Sequence, residues 1–284
     1  MCKICDSLRG MVAVDKDLYH HLLLDSGLVK AASVPDFTPD ETSGEGKASD
    51  DELDYRAALL LLLSALYTGA KKAVNSNDDI PEKLASLDNL LDSFMDKAQG
   101  VATKYNKTIY QAAIKEANKN LDNLKEDLKK LNPGSSKILP VLDQQHNNIQ
   151  DIRYYIRGRV SQGLYLERVG ELYETEEDED YLDSAFSTAQ TRLDQTGIYG
   201  AINARKYGLL ETYIAAQVIL GVILVSDWLT CEDPNHSTGC TSDGPVCDDC
   251  QAMADAGPYP VIAFPGEQHF GDRCEPGPPY IQGT

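Results

Sequence analysis

The chain has 284 residues, of which 42% are hydrophobic and 25% charged, and this composition excludes a wholly disordered protein. Its net charge of −19 makes free DNA a poor default partner, because so negative a surface repels phosphates. Seven cysteines without a visible secretory signal favour thiol chemistry or metal ligation over full disulfide pairing, and predict synthesis in a reducing cytoplasm.

The first 54 residues predict two segments outside the main body. Residues 1–34 open with the C-x2-C pair Cys2 and Cys5 and continue into a short leucine-rich helix that ends near Gly27. Residues 35–54 are rich in Pro, Asp, Glu, Ser and Gly, and predict an acidic linker or arm. A redox role for the C-x2-C pair is disfavoured, because the pair does not lie at a strand-to-helix junction where a helix dipole would lower a thiol pKa.

Residues 55–199 predict a helical body. A first helix begins at the acidic pair Asp51-Glu52 and ends near Val74. A second helix begins at Pro81 and keeps a near-heptad leucine spacing as far as Leu131. Further helices are predicted over residues 140–173, 181–195 and 201–220.

Two apolar runs, 57–67 and 213–225, raise the question of a membrane span. Both are shorter than the ~20 residues that a helix needs to cross a bilayer. We therefore interpret them as buried core segments and expect no membrane partner.

One stretch of the body is locally basic, with Arg153, Arg157, Arg159 and Arg168 on the helix predicted over 140–173. Such a face is a candidate site for nucleic acid or for an acidic partner. Solvated helix charge is the favoured interpretation, because Asp151 and Glu167 lie among the arginines.

The C-terminal part, residues 200–284, changes character after its helix. The sequence GVILVSDWLT predicts a strand, and residues 231–284 then combine prolines and five of the seven cysteines with little periodicity. Such a segment cannot bury much apolar surface, so metal ligation is an economical way to order it. The predicted fold class is mainly α, with a long-helix body and a small irregular Cys/His-rich α+β module.

Four residues of this module have the spacing of a zinc site: Cys247, Cys250, His269 and Cys274. A C-x2-C turn offers two thiolates from one bend, and a later His and Cys complete a tetrahedron. A structural Zn²⁺ is the leading interpretation, with a cluster of uncoordinated thiols and a disulfide as the alternatives. Four protein ligands leave no open position for substrate water, so no catalytic residue is predicted.

The remaining cysteines suggest a second site. Cys2, Cys5, Cys231 and Cys240 would give a four-thiolate centre joining the two ends of the chain, and would account for every cysteine. His236, between the last two, is a substitute ligand.

Residues 200–274 resemble the phage head morphogenesis family, the minor head proteins similar to phage Mu protein F. The matching features are Arg205 and Glu211 on a helix, Gly221-Val222, Trp228, the D-x-x-V-C-x-x-C stretch from Asp243 to Cys250, and His269, Arg273 and Cys274 of the tail. Asp272 stands where the family has the first Cys of that tail, which makes Asp272 another substitute ligand.

This resemblance implies a structural virion component and not an enzyme. It implies a low-copy protein at the portal vertex or capsid interior, made in the host cytoplasm and associated with the portal or major capsid protein. A role in head assembly and in genome delivery follows, with packaged DNA close by. The negative charge is compatible with a protein that lies close to DNA without binding it tightly.

Two other functions were weighed against this one. A metal-dependent hydrolase or nuclease-type enzyme would need an open metal site and a carboxylate from among Asp243, Asp248, Asp249 and Glu267. A zinc-dependent nucleic-acid-binding module would need its affinity to come from the arginine-rich face, against a net charge of the wrong sign.

Overall fold

The structure, a computed structural model, describes residues 37, 39, 48–124, 131–173, 181–230, 233, 248–265 and 274–283. Over these ranges the chain forms four long helices, one short helix and five short strands. The predicted fold class, mainly α with a small α+β C-terminal module, is confirmed. The helices are α1 (Asp50–Val74), α2 (Ile80–Asn120), α3 (Leu139–Tyr173), α4 (Tyr181–Leu220) and α5 (Asp248–Ala256).

The first two helices begin with local capping contacts that the sequence supplies. Ser49 Oγ accepts a hydrogen bond from the Glu52 backbone N–H at 3.2 Å, at the start of α1. Asp79 Oδ1 accepts one from the Glu82 N–H at 2.9 Å, at the start of α2. Both contacts satisfy a backbone donor that a helix N-terminus leaves without an intrahelical partner.

Helix α2 ends earlier than its leucine spacing predicts. It stops at Asn120 and a 3-10 turn follows, so the predicted continuation as far as Leu131 was wrong. Asn118 explains the change, since its amide donates to the Leu131 carbonyl at 2.9 Å and accepts from the Leu131 N–H at 2.8 Å. The chain turns back toward α2, and Leu131 packs on the same apolar cluster as Leu121.

Helix α4 is one continuous helix where the sequence predicted two, with a break between Gln195 and Ala201. Gly197 and Thr196 lie at the predicted break. Thr196 Oγ1 donates to the Arg192 carbonyl one turn earlier, at 2.8 Å. A Cβ on Gly197 would lie 2.7 Å from Arg56 Cγ, so this glycine permits close packing and does not end the helix.

Packing divides the described residues into two compact units. Unit one takes 54–102 and 145–197, and unit two takes 48–53, 103–144 and 198–283. Each long helix contributes residues to both units. The predicted boundaries at 34, 54 and 199 stay predictions.

The core of unit one is built on the leucines of α1. Leu59, Leu60 and Leu63 are fully buried, together with Leu87 and Leu91 of α2. Within the described ranges, α1 is the one helix long and apolar enough to cross a membrane by length and composition, and 44% of its apolar window is buried inside the protein. The burial of the three leucines agrees with the predicted buried helix face.

Unit two combines a helical cluster with the strands of the C-terminal module. The cluster joins Ala113 and Ala117 of α2 to Leu209, Tyr213 and Ala216 of α4, and extends to Leu224 and Val261. The strands are β1 (Leu224–Ser226), β2 (Trp228–Leu229), β3 (Tyr259–Pro260), β4 (Glu275–Pro276) and β5 (Tyr280–Ile281).

All the strand pairs are antiparallel. Strand β1 lies between β3 and β5, and β2 pairs with β4. The strand predicted from GVILVSDWLT is therefore observed as two short strands, with Asp227 between them. The Asp227 carbonyl accepts a hydrogen bond from the Gly277 N–H at 3.0 Å, which ties the interruption to the tail of the chain.

Candidate metal centre

Two of the four predicted zinc ligands, Cys250 and Cys274, belong to the described residues. Cys247 and His269 lie outside them. The candidate second-site ligands Cys2, Cys5, Cys231 and Cys240, and the substitute ligands His236 and Asp272, also lie outside the described residues.

Cys250 and Cys274 share one buried cluster with Trp228. Cys250 is in the first turn of α5 and is 0% exposed, and Cys274 comes directly before β4 and is 5% exposed. Met253, Ala254, Tyr259 and Phe264 pack against the three residues, and the two cysteines are not joined to each other as a disulfide. The structure therefore brings together Cys250, from the C-x2-C half of the predicted ligand set, and Cys274, from the half near the end of the chain.

The pairing of β2 with β4 holds Cys274 in this cluster. Trp228 lies opposite Pro276, and Leu229 lies opposite Glu275. Ser226 Oγ also donates to the Gly277 carbonyl at 2.8 Å. The tail is thus fixed by backbone pairing on the C-terminal side of the cysteine.

Arg205 reinforces the same strand from α4. Its Nε donates to Glu275 Oε2 at 2.7 Å, and its Nη1 and Nη2 donate to the two carboxylate oxygens of Glu116, each at 2.8 Å. Burial lowers the pKa of Arg205, but the hydrogen bonds and charges of Glu116 and Glu275 outweigh burial and raise it overall. A permanently charged guanidinium therefore links α4, α2 and β4 at the residue next to Cys274.

The indole ring of Trp228 is enclosed on its faces. The Phe264 ring stacks on it with centroids 5.5 Å apart and an interplanar angle of 12°. The Lys206 ammonium lies 5.6 Å from the ring centroid, and Lys206 is only 8% exposed. The Trp228 ring therefore has an aromatic ring and a buried ammonium group next to it.

These residues fit a zinc ion. Thiolates are preferred zinc donors, and Cys250 and Cys274 supply two thiols in one buried cluster. No three His, Cys, Asp or Glu side chains are grouped as metal ligands within the described ranges, where only two of the four predicted ligands are found.

The sequence did not identify the acidic partners of Arg205. Glu116 lies near the end of a long amphipathic helix, on which carboxylates are ordinarily solvated, and it carries no signal of its own. Glu275 follows a predicted ligand directly, and that adjacency is the one sequence feature that could have singled it out. Glu211 is the other helix residue of the matching features. It does not join this network and pairs with Lys137 at 3.0 Å.

The arginine-rich face of α3 is partly neutralised by α2. Arg153 Nε donates to Asp92 Oδ1 at 2.9 Å, and Arg157 Nε donates to Asp88 Oδ1 at 2.6 Å. Two of its four arginines therefore serve to join two helices, which is the structural interpretation of this face. The candidate enzymatic carboxylates Asp248 and Asp249 are exposed in the first turn of α5, while Asp243 and Glu267 lie outside the described residues.

Comparisons with protein-family models, with curated proteins and with solved structures found no match to this chain. The resemblance to phage head proteins therefore rests on the motif residues of the C-terminal part.

Proposed function

We propose that this chain is a minor head protein of a phage, a structural component and not an enzyme. In this proposal it associates in low copy with the portal or the major capsid protein, at the portal vertex or capsid interior. It acts in head assembly and in genome delivery, and a zinc-ordered C-terminal module is part of its docking surface.

One observation carries the proposal: four of the described residues that carry the resemblance, Arg205, Trp228, Cys250 and Cys274, are joined through one packed module. Arg205 contacts Glu275, which follows Cys274, and β4 pairs with Trp228. Trp228 shares a buried cluster with Cys250 and Cys274. Chance similarity at scattered positions gives no reason for those positions to pack together, whereas a shared module does.

In the proposed centre, Zn²⁺ is held by Cys247, Cys250, His269 and Cys274. The ion would cross-link the start of α5 to the start of β4, in a region whose strands are only two or three residues long. Its role is to order the module, because four protein ligands leave no position for substrate. A second centre at Cys2, Cys5, Cys231 and Cys240, with His236 or Asp272 as substitute ligands, stays a prediction.

The net negative charge of the chain favours docking on protein over binding to DNA. The chain carries −19 overall, and Arg153 and Arg157 already pair with carboxylates of α2. A protein with these features can stand near packaged DNA while its affinity is directed to capsid proteins.

The test is to purify heads assembled in cells that express this chain together with the portal and major capsid proteins of the same phage. Quantitative mass spectrometry would count copies per head. We expect a constant, low copy number that survives density-gradient purification and a salt wash. Heads that contain no copies of the chain would overturn the proposal.

The matched variants are Cys250→Ser with Cys274→Ser, and the exposed pair Ser93→Ala with Thr191→Ala as control. We expect the cysteine variant to lose incorporation and the control to keep it. If the cysteine variant and the control are incorporated equally, the zinc module is not needed for docking. That result would contradict the proposed role of the module.

A further inference from the structure

Helix α2 presents a row of lysines in unit two. Four exposed residues form this surface, which we call the lysine face: Lys104, Lys107, Lys115 and Lys119. With the spacing of an α-helix, they lie within about one third of the helix circumference and span about 22 Å of its axis. On the other side of the helix, Ala113 and Ala117 are buried in the cluster with α4. The lysine face is therefore the solvent side of this half of α2.

A shallow depression lies along the middle of the lysine face. It has a volume of about 510 Å³ and is lined by Lys107, Thr108, Gln111, Ala112 and Lys115. The three uncharged residues among these are exposed. The surface between the lysines is therefore open and leaves room for the side chains of a partner.

No carboxylate neutralises the lysine face within the described residues. Residues 103–120 of α2 contain one acidic residue, Glu116, and both of its carboxylate oxygens accept hydrogen bonds from Arg205. No member of the lysine face forms an ion pair with a described residue. The face thus keeps its positive charges uncompensated, in a chain whose net charge is −19.

Folding of the helix does not account for this arrangement. Two pairs of these lysines are three or four residues apart, and like charges at such spacings destabilise a helix slightly. Elsewhere in unit two, Arg205 and Lys137 pair with carboxylates. A partner that brings carboxylates to the lysine face would relieve the repulsion between the lysines.

We propose that the lysine face is a docking surface for an acidic helical segment of a partner protein. Carboxylates three or four residues apart on such a segment repeat with the same rise as the lysines, so several of them can lie opposite the face along its ~22 Å. The short side chains of Thr108 and Ala112 let two helices approach to the usual ~8–10 Å. The inference goes beyond the proposed function, because the lysine face lies outside the C-terminal module and depends neither on zinc nor on the virion assignment.

Duplex DNA fits this surface less well than an acidic protein segment does. A long phosphate polymer also extends over the remaining surface of a chain whose net charge is −19, and is repelled there. A short acidic segment meets mainly the local field of the lysines, since physiological salt screens charges beyond about 8 Å. Residues 103–120 also contain no arginine, whose guanidinium gives two-bond contacts to phosphate.

Fluorescence anisotropy of a labelled peptide would test the proposal on the full chain. The probe is an alanine-based helical peptide of about 20 residues with a glutamate at every third or fourth position. The same peptide with glutamine in place of glutamate shows whether charge is required. We expect the glutamate peptide to bind at about 50 mM salt and to be released as the salt concentration rises, and the glutamine peptide not to bind.

Replacement of all four lysines of the face by glutamine removes their charge and keeps good helix formers. We expect this variant to bind the glutamate peptide roughly 10-fold or more weakly. The matched control removes the same charge from unit one, through Lys72→Gln, Lys83→Gln, Lys97→Gln and Arg159→Gln. The control should keep its affinity to within about 2-fold, because the substituted charges are remote from the probe and screened. Circular dichroism would check that both variants remain helical.

Three results would overturn the proposal. The unsubstituted chain fails to bind the glutamate peptide, or the two variants lose affinity equally, which would make net charge responsible and not the lysine face. In the third result, a duplex DNA of similar length binds more tightly than the peptide through the same lysines, which would assign the face to nucleic acid. The count of copies per head tests the virion assignment independently of all three.

Discussion

Arg56 shows how much one buried charge can contribute to unit one. Its side chain is 0% exposed, and its Nε and Nη2 donate to the two oxygens of Asp194, each at 2.7 Å. Such a two-bond pair between α1 and α4 is favourable only while both partners are present, because either charge alone would be buried without compensation.

Substitution of Arg56 by Met tests this dependence. We expect the free energy of unfolding to fall by about 3 kcal/mol, since the Asp194 carboxylate is left in a poorly solvated position. Denaturant titration followed by circular dichroism would measure the loss.

The matched control is Arg157→Met, which removes an Arg–Asp pair with side chains 30% and 39% exposed. Solvent screens this pair, so its removal should lower the free energy of unfolding by less than about 1 kcal/mol. Equal losses for the two variants would contradict the importance of burial.

At the scale of single residues, the sequence predicted that Cys250 and Cys274 would lie together, as they do, but it did not predict which residues surround them. The spacing of Cys250 and Cys274 from other donors indicated that they would converge, because zinc chemistry restricts which residues can close a site. The pairing of Arg205 with Glu116 and Glu275 depends on how three distant segments pack. No local pattern in a single sequence records that arrangement.

At the scale of the helices, Gly208 marks a close approach of α4 to α2 in unit two. A Cβ built on Gly208 would lie 2.6 Å from Ala113 Cβ and 2.7 Å from the Tyr110 carbonyl oxygen. These atoms belong to a well-packed helix surface, and backbone cannot move aside as a flexible side chain can.

Gly208→Ala should therefore lower the free energy of unfolding by about 1 to 2 kcal/mol, because overpacking outweighs the gain in helix propensity. Gly100→Ala is the control within α2, where a Cβ would meet nothing within 4 Å. It should raise the free energy of unfolding by up to about 1 kcal/mol. Thermal denaturation would show opposite shifts, and shifts of the same sign would refute the close approach.

Helix positions were more predictable than helix ends. The acidic pair Asp51-Glu52 and the helical spacing of apolar residues predicted α1 and α3 closely, because these signals act within one or two turns. The predicted end of α2 and the predicted break in α4 were wrong, because Asn118 and Gly197 act through contacts with distant segments. Gly197, within the predicted break, is a packing site, and Leu131, predicted to continue the heptad spacing, lies after the chain has turned back toward α2.

At the scale of the whole molecule, buried tyrosines make the free energy of unfolding depend on pH in the alkaline range. Burial, with the charge of Glu211, raises the pKa of Tyr110 from 10.0 to about 12. Burial also raises the pKa of Tyr213, as do the charges of Glu116 and Glu275, against the opposing effect of the Asn120 hydrogen bond. The unfolded phenols ionise first, so the contribution is complete below pH 10 and is lost as the pH rises toward 12.

Denaturant titrations between about pH 8 and about pH 11 would test this dependence. We expect the free energy of unfolding to decline above pH 10, and to decline less steeply in Tyr110→Phe. Tyr154→Phe is the control, because Tyr154 is 56% exposed. A decline that is the same in the Tyr110 variant as in the unsubstituted chain would argue against the raised pKa.

The division into units was the feature least accessible from sequence. Sequence reasoning divides a chain into consecutive stretches, since composition and periodicity change along it. Here the described residues of 103–144 pack with those of 198–283, and each long helix contributes to two units. Contacts between remote segments define such units, and a single sequence does not display them.

The enclosed position of the lone tryptophan gives this protein two separate optical reporters. When Trp228 is excited selectively, its fluorescence reports on the cysteine module alone. Far-ultraviolet circular dichroism, in contrast, is dominated by the four long helices. Two melting curves recorded on one unlabelled sample would therefore distinguish release of the tail from collapse of the helical scaffold. An emission change that precedes the dichroism change would identify the module as the first part of the molecule to open.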